Sequence, residues 1–220
     1  MPAIESKMTA VVLISGSGSN LQAIIDAAKN GSLDITIAAV ISNRHGVKGL
    51  QRAISAGIPT RVLDHKAYAD REGFDAALQQ EIDACQPQLL ILAGFMRILT
   101  PGFVRHYLGR MLNIHPSLLP KYTGLNTHQR AINDGEAEHG ASIHFVTEEL
   151  DGGPIIIQGK VGIESNDSAE QLANKVLKKE HLIYPQAIQW FATKRLQLID
   201  NHAVLDGEAL TSPRLLKEQA

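Results

Sequence analysis

Short apolar runs alternate with stretches of helical spacing along most of the 220-residue chain. Residues 9–14 (Thr-Ala-Val-Val-Leu-Ile) form an apolar, β-branched run, the pattern of a strand buried on both faces. Residues 21–28 carry helical spacing, and 35–41 read as a second strand. Residues 47–56 read as a helix closed by Gly57, a C-cap signal, and 60–63 as a third strand. A longer helix is expected over 68–84, with Phe74, Leu78 and Ile82 on its apolar face, and a fourth apolar strand over 89–93. A short helix over 101–108, capped by Thr100, leads to a fifth strand at 111–114. This alternation predicts an α/β fold built on a doubly wound, mostly parallel sheet.

The pattern changes after residue 140. Residues 141–146 and 154–161 read as strands with the Asp151-Gly152-Gly153 turn between them. Residues 168–181 form an amphipathic pattern opened by Ser-x-x-Gln, a capping-box start, and 184–191 read as a further helix. Residues 195–199 and 203–205, with Asp206-Gly207, predict a closing antiparallel extension. The expected organisation is one domain over 1–210, with an N-terminal half of about 8–108 and a C-terminal half of about 109–210, followed by a frayed tail at 211–220.

Composition narrows the partners. A formal net charge of −2 argues against nucleic acid, and 44% hydrophobic residues suffice for a core. The single Cys85 excludes an internal disulfide and fits a reducing compartment. Residues 1–7 are short and polar, unlike a signal peptide, and no apolar run approaches the roughly 20 residues of a membrane span. A cytoplasmic protein is expected.

Two regions carry candidate chemistry. The first strand runs into Ser15-Gly16-Ser17-Gly18-Ser19-Asn20 and then a helix, the arrangement of an anion cradle. A dinucleotide site is an alternative, but Leu21 stands at the third fingerprint position and no acidic residue ends the second strand. A plain capped turn is the other. The second region is Asn113-Ile114-His115-Pro116, with Asp151 downstream. Asn113 and His115, two residues apart on an extended segment, point the same way. An amide donor, an imidazole and a carboxylate suit acyl transfer to an amine through an oxyanion, though such a trio is also compatible with structural hydrogen bonding. His115, His128, His139 and His144 lie close in sequence, but without His-x-x-x-His spacing or a cysteine pair no metal is expected.

The Gly-Ser-Gly-Ser-Asn-Leu loop, residues 93–99 (Ala-Gly-Phe-Met-Arg-Ile-Leu), residues 112–122 and Leu150-Asp151-Gly152-Gly153-Pro154 occur in that order. In these motifs the chain, over roughly residues 8–210, resembles the folate-dependent phosphoribosylglycinamide (GAR) formyltransferases. The resemblance implies a Rossmann-like formyltransferase fold and transfer of a formyl group from 10-formyltetrahydrofolate to the GAR amine, without a metal. It implies a catalytic set of Asn113, His115 and Asp151, with His128 and His144 as matching supports. It places the ribose phosphate on Gly18, Ser19 and Asn20, and the glycinamide substrate at Glu180. It places the folate at Met96, Arg97, Ile98, Leu99 and Asn113, with Arg71 near the glutamate tail. Small-molecule substrates, no nucleic acid or membrane partner, and a monomer or homodimer are expected. Thr123, Asn126 and Leu177 depart from the family pattern, which predicts a less rigid loop after Pro120 and altered substrate contacts. A deformylase using water instead of an amine, and a non-catalytic phosphate- or folate-binding protein, are the competing readings. The first loop weighs against the former and the intact trio against the latter.

Overall fold

The computed structural model describes residues 7–216. The first apolar run forms β1 (Met8–Ile14), buried from Ala10 onward. Ala10, Val12 and Ile14 enter one hydrophobic cluster, and Val11 and Leu13 enter another. The two-residue period of a strand thus serves two cores, one on each face of the sheet.

The chain continues through α1 (Ser19–Lys29), β2 (Ile35–Ser42), α2 (Lys48–Ser55), β3 (Thr60–Val62), a 3-10 turn at His65–Ala67, α3 (Arg71–Asp83) and β4 (Leu89–Leu92). It then forms α4 (Pro101–His106), β5 (Met111–His115), α5 (Thr127–Asn133), β6 (Glu138–Phe145), β7 (Ile155–Gly162) and α6 (Ala169–Ala192). Three short strands follow, β8 (Leu196–Ile199), β9 (His202–Leu205) and β10 (Glu208–Ala209), and lastly β11 (Arg214–Leu215). The main sheet has eight strands in the order β11-β7-β6-β5-β4-β1-β2-β3. From β3 to β5 all pairs are parallel; β5–β6 and β6–β7 are antiparallel. Strands β8, β9 and β10 form a separate antiparallel sheet, the expected extension.

Three expectations need correction. The helices expected at 168–181 and 184–191 are one helix, α6, which runs through Pro185. Proline removes one backbone donor, but Ile183, Tyr184, Ala187 and Ile188 are fully buried, and that packing keeps the axis continuous. Its start keeps the reciprocal Ser168–Gln171 capping box. Helix α5 was not foreseen, because Thr127 and Ala131 alone are buried along it and give no apolar stripe. Of the segment expected to fray, Arg214 and Leu215 pair in parallel with Ile157 and Gln158, while 217–220 lie outside the described residues.

One buried side chain ties the sheet to α6 below the site. The Tyr184 hydroxyl donates to the carbonyls of Leu92 and Leu112, at 2.9 and 3.0 Å. These residues lie at the end of β4 and immediately before Asn113 on β5.

Candidate active site

Strand β1 lies between β2 and β4, so the chain leaves it in one direction and the later strands build in the other. The crevice beyond the carboxyl ends of β1 and β4 is where such sheets take ligands. Ser15 follows β1 directly and is buried. Its hydroxyl accepts from the Met96 N–H at 2.7 Å and donates to Asn43 Oδ1 at 2.6 Å, and its own N–H donates to the Gly94 carbonyl. One buried serine therefore joins the loops after β1, β2 and β4.

The loop after β1 enters α1 through Gly18, whose φ is 68°, a left-handed conformation that disfavours a side chain. A Cβ there would lie 2.5 Å from Gly49 Cα, so space also demands glycine. No side chain caps α1. Its first N–H groups and the positive end of its dipole remain available to an anion. The Asn20 side chain is not part of that opening: its Nδ2 donates to Glu180 Oε2 at 2.7 Å, and both residues are buried. Burial pushes the Glu180 carboxyl above the usual carboxylate range, and the Asn20 hydrogen bond offsets part of that rise. Asn20 Oδ1 is buried without a partner among the described residues.

Asn113 and His115 lie on β5, flanked by β4 and β6. Asn113 faces His144 directly across the β5–β6 ladder, and its Nδ2 meets His144 Nε2 at 3.1 Å. The other ring nitrogen, Nδ1, lies 2.8 Å from the Phe145 carbonyl. A carbonyl can only accept, so Nδ1 carries the hydrogen and Nε2 accepts from the amide. Burial holds the His144 imidazole below its ordinary pKa, in keeping with that neutral form. His144 therefore orients the Asn113 amide.

Asp151 completes the group. Its Oδ2 accepts from the Gly124 N–H at 2.9 Å and lies 3.5 Å from His115 Nδ1, while Oδ1 lies 4.0 Å from His144 Nε2. The Asp151 backbone has φ 54°, a turn conformation that asparagine and aspartate tolerate. His115 Nε2 meets the Tyr122 carbonyl at 2.8 Å. The His115 ring is thus held between the Tyr122 carbonyl and the Asp151 carboxylate. The structure brings Asn113, His115, Asp151 and His144 into one cluster.

Beside it lies a cavity of about 120 Å³ lined by Leu92, Ile98, Leu99, Val104, Asn113 and Asp151, among others. Drug-sized pockets occupy roughly 300–1,000 Å³, so the hole suits one ring system with the rest of a ligand outside. Arg97 also lines it, with its guanidinium carbon 5.5 Å from the centre of the Phe74 ring. Met96 does not line it and is 59% exposed. Arg71 is the first residue of α3. It and Arg97 act on buried Asp75, whose carboxyl is raised by burial and eased back by Thr100 and the two arginines. Sequence halves do not separate the site: Asn20 on α1 meets Glu180 on α6, and Arg97 to Leu99 share a cavity with Asn113.

The departing loop is pinned by its neighbours. Thr123 O accepts from Arg130, Thr127 Oγ1 donates to Pro116 O, and the Tyr122 hydroxyl donates to Asp134 and Glu136. Asn126 takes a left-handed φ of 57° at the start of α5. The Leu119–Pro120 bond within this loop is cis. Beneath it, His128 Nδ1 and His139 Nε2 lie 3.2 Å apart. The pairing of His139 with His128 was missed. Only their common nearness to His115 in sequence hinted at it. Gly124 and Ser15 carried no sequence signal for the contacts they make. Among the described residues, no group of three or more His, Cys, Asp or Glu is placed to hold a metal, and no helix is long and apolar enough to cross a membrane.

Burial, and then the neighbouring His128, push the His139 imidazole down from 6.5 to about 4. Between these values the unfolded chain binds a proton that the native state refuses, so stability rises with pH across this window. The urea midpoint is therefore expected to fall as pH drops from 6.5 towards 4, and His139→Gln to flatten that slope. An unchanged slope in the variant would assign the pH dependence to other groups.

A family model described as formyl transferase matches residues 8–188, and the chain belongs to this enzyme family. It is 55% identical over 203 residues to the phosphoribosylglycinamide formyltransferase of Escherichia coli (strain K12), covering 92% of this chain and 96% of that one. The enzyme of the same name from Haemophilus influenzae is 50% identical over 199 residues, with 90% and 94% covered. Among solved structures, the phosphoribosylglycinamide formyltransferase of Coxiella burnetii superposes with a TM-score of 0.92 at 51% identity, covering 96% of this chain and 100% of that one.

Proposed function

We propose that this chain transfers the formyl group of 10-formyltetrahydrofolate to the amine of GAR, a step of purine biosynthesis, giving N-formyl-GAR and tetrahydrofolate. The observation that carries the reading is the convergence of Asn113, His115 and Asp151 beside an apolar cavity, in the same crevice as an uncapped helix start. The match to relatives of that name over nearly their whole length supports it.

The cavity suits the flat ring of a folate: its walls at Leu92, Ile98, Leu99 and Val104 are apolar, and Asn113 stands at its edge. Met96 flanks the mouth, and Arg97 and Arg71 supply positive charge near an anionic tail. The bound folate supplies an acyl carbon whose oxygen gains negative charge as the amine adds. Asn113 Nδ2 has one N–H held by His144 and a second to donate to that oxygen. His115 stands on the same strand, two residues along, and acts on the same oxygen. Asp151 holds His115 and, through water, accepts the proton leaving the attacking nitrogen; that proton passes to the folate nitrogen as its bond to the formyl carbon breaks, which frees tetrahydrofolate. Gly18, Ser19 and Asn20 hold the substrate phosphate through backbone N–H groups, and Glu180, steadied by Asn20, faces the glycinamide portion. His128 and His144 act as supports. Only small-molecule partners are required, and the proposed place of action is the cytoplasm.

Tetrahydrofolate release is the measurement that tests this. Release is expected only when GAR and 10-formyltetrahydrofolate are both present. Equal release without GAR would make the reaction a hydrolysis, and none under either condition would leave a binding protein.

A further inference from the structure

The cradle after β1 contains no lysine or arginine of its own, yet its peptide planes are set from outside. The Gly16 carbonyl accepts from the Gly49 N–H at 3.1 Å. The Ser17 carbonyl accepts from Arg52 Nε at 2.9 Å. Gly49 and Arg52 are three residues apart on α2, hence on one face of it. In a trans peptide the C=O of one residue and the N–H of the next point in opposite directions. Two successive carbonyls turned into α2 therefore turn the N–H groups of Ser17 and Gly18 away from it. The N–H groups at the start of α1 come next in the chain.

The contact between the two segments is close. A Cβ on Gly49 would lie 3.2 Å from both Gly16 O and Gly18 Cα, and 2.5 Å from the Ile14 side chain. The Arg52 side chain passes over Gly18, its Cδ 3.5 Å from the position a Gly18 Cβ would take. Its NH1 donates to Gln22 Oε1 on α1 at 3.2 Å, so one guanidinium spans the loop and the helix that follows. Nε and NH1 are rigidly related donors, which an ammonium group cannot imitate.

We infer that Arg52 is a positioning residue for the phosphate cradle: with Gly49 as backbone partner, it holds the 16–17 and 17–18 peptide planes so that the Ser17 and Gly18 N–H groups face a phosphate monoester. This rests on the proposed function above, specifically on the phosphate being bound at Gly18 to Asn20. The role is orientation rather than supply of charge, which separates it from a simple electrostatic contact.

The test compares wild type, Arg52→Lys and Arg52→Met with two acceptors, GAR and its dephosphorylated riboside, recording kcat and KM for each and for the folate. Wild type is expected to favour GAR strongly through KM. Both variants are expected to raise KM for GAR roughly 10-fold and narrow its advantage over the riboside, with kcat and folate KM within about two-fold. Full recovery of the GAR preference by Arg52→Lys would overturn the orienting role in favour of a point charge. An undiminished preference in Arg52→Met would overturn any role for Arg52. A wild-type enzyme that does not distinguish the two acceptors would instead refute the phosphate cradle itself.

Discussion

Asn113→Ala is expected to lower kcat by a factor on the order of 10² to 10³, the loss typical of one fixed donor to a developing oxyanion. The Asn113 amide is oriented before any ligand arrives, because neutral His144 accepts one of its two N–H groups at 3.1 Å. Alanine removes the donor and leaves His144 Nε2 without its partner. KM for GAR should change little, since the cradle lies on a different loop. His115→Ala should lose turnover to a similar degree. In the proposed mechanism the two side chains act on one oxygen, so the double variant should lose much less than the product of the two. Single-turnover measurement of tetrahydrofolate release gives all three values, and full turnover in either single variant would remove the pair from the chemistry.

Asp151→Asn is expected to lower kcat by a factor on the order of 10² while the protein stays folded. The amide oxygen of asparagine can still accept from the Gly124 N–H, and asparagine tolerates φ 54° as aspartate does. What disappears is the negative charge 3.5 Å from His115 Nδ1 and the ability to take a proton. The pH dependence of kcat should change with it. A variant whose pH–rate profile matches wild type would show that Asp151 does not act through His115.

The parallel core was legible because its central strands, β1 and β4, are buried on both faces and so read as unbroken apolar runs. That holds for Ala10 to Ile14 and for Leu89 to Leu92. The turn residues were equally plain: Asp206 and Gly207 both take positive φ between β9 and β10. The continuity of α6 across 182–183 was not legible, because it rests on the burial of Ile183, Tyr184, Ala187 and Ile188 around Pro185. Helix α5 was illegible for the opposite reason, having too little buried surface to leave a periodic trace.

In the candidate site, residue types were readable and their partners were not. Asn113, His115 and Asp151 stand out by chemistry and motif. The contacts that orient them come from residues distant in sequence: His144 lies 31 positions from Asn113, and Gly124 lies 27 from Asp151. The Ser15 hydroxyl reaches Met96 across 81 positions. Such pairings depend on strand order, which one sequence specifies only through the complete fold.

Helix α6 touches both ends of the crevice within little more than one turn, with Glu180 against Asn20 and Tyr184 against the carbonyls of Leu92 and Leu112. Four residues of helix advance by about 6 Å and turn through about 400°. The spacing between the α1 end and the β4–β5 end is therefore referred to one rigid ruler rather than to a chain of loops. Inserting or deleting a single residue between these marks would shift their phase by about 100°. Substitutions along this turn can be absorbed by repacking, whereas a change in its length would move one end of the crevice out of register with the other.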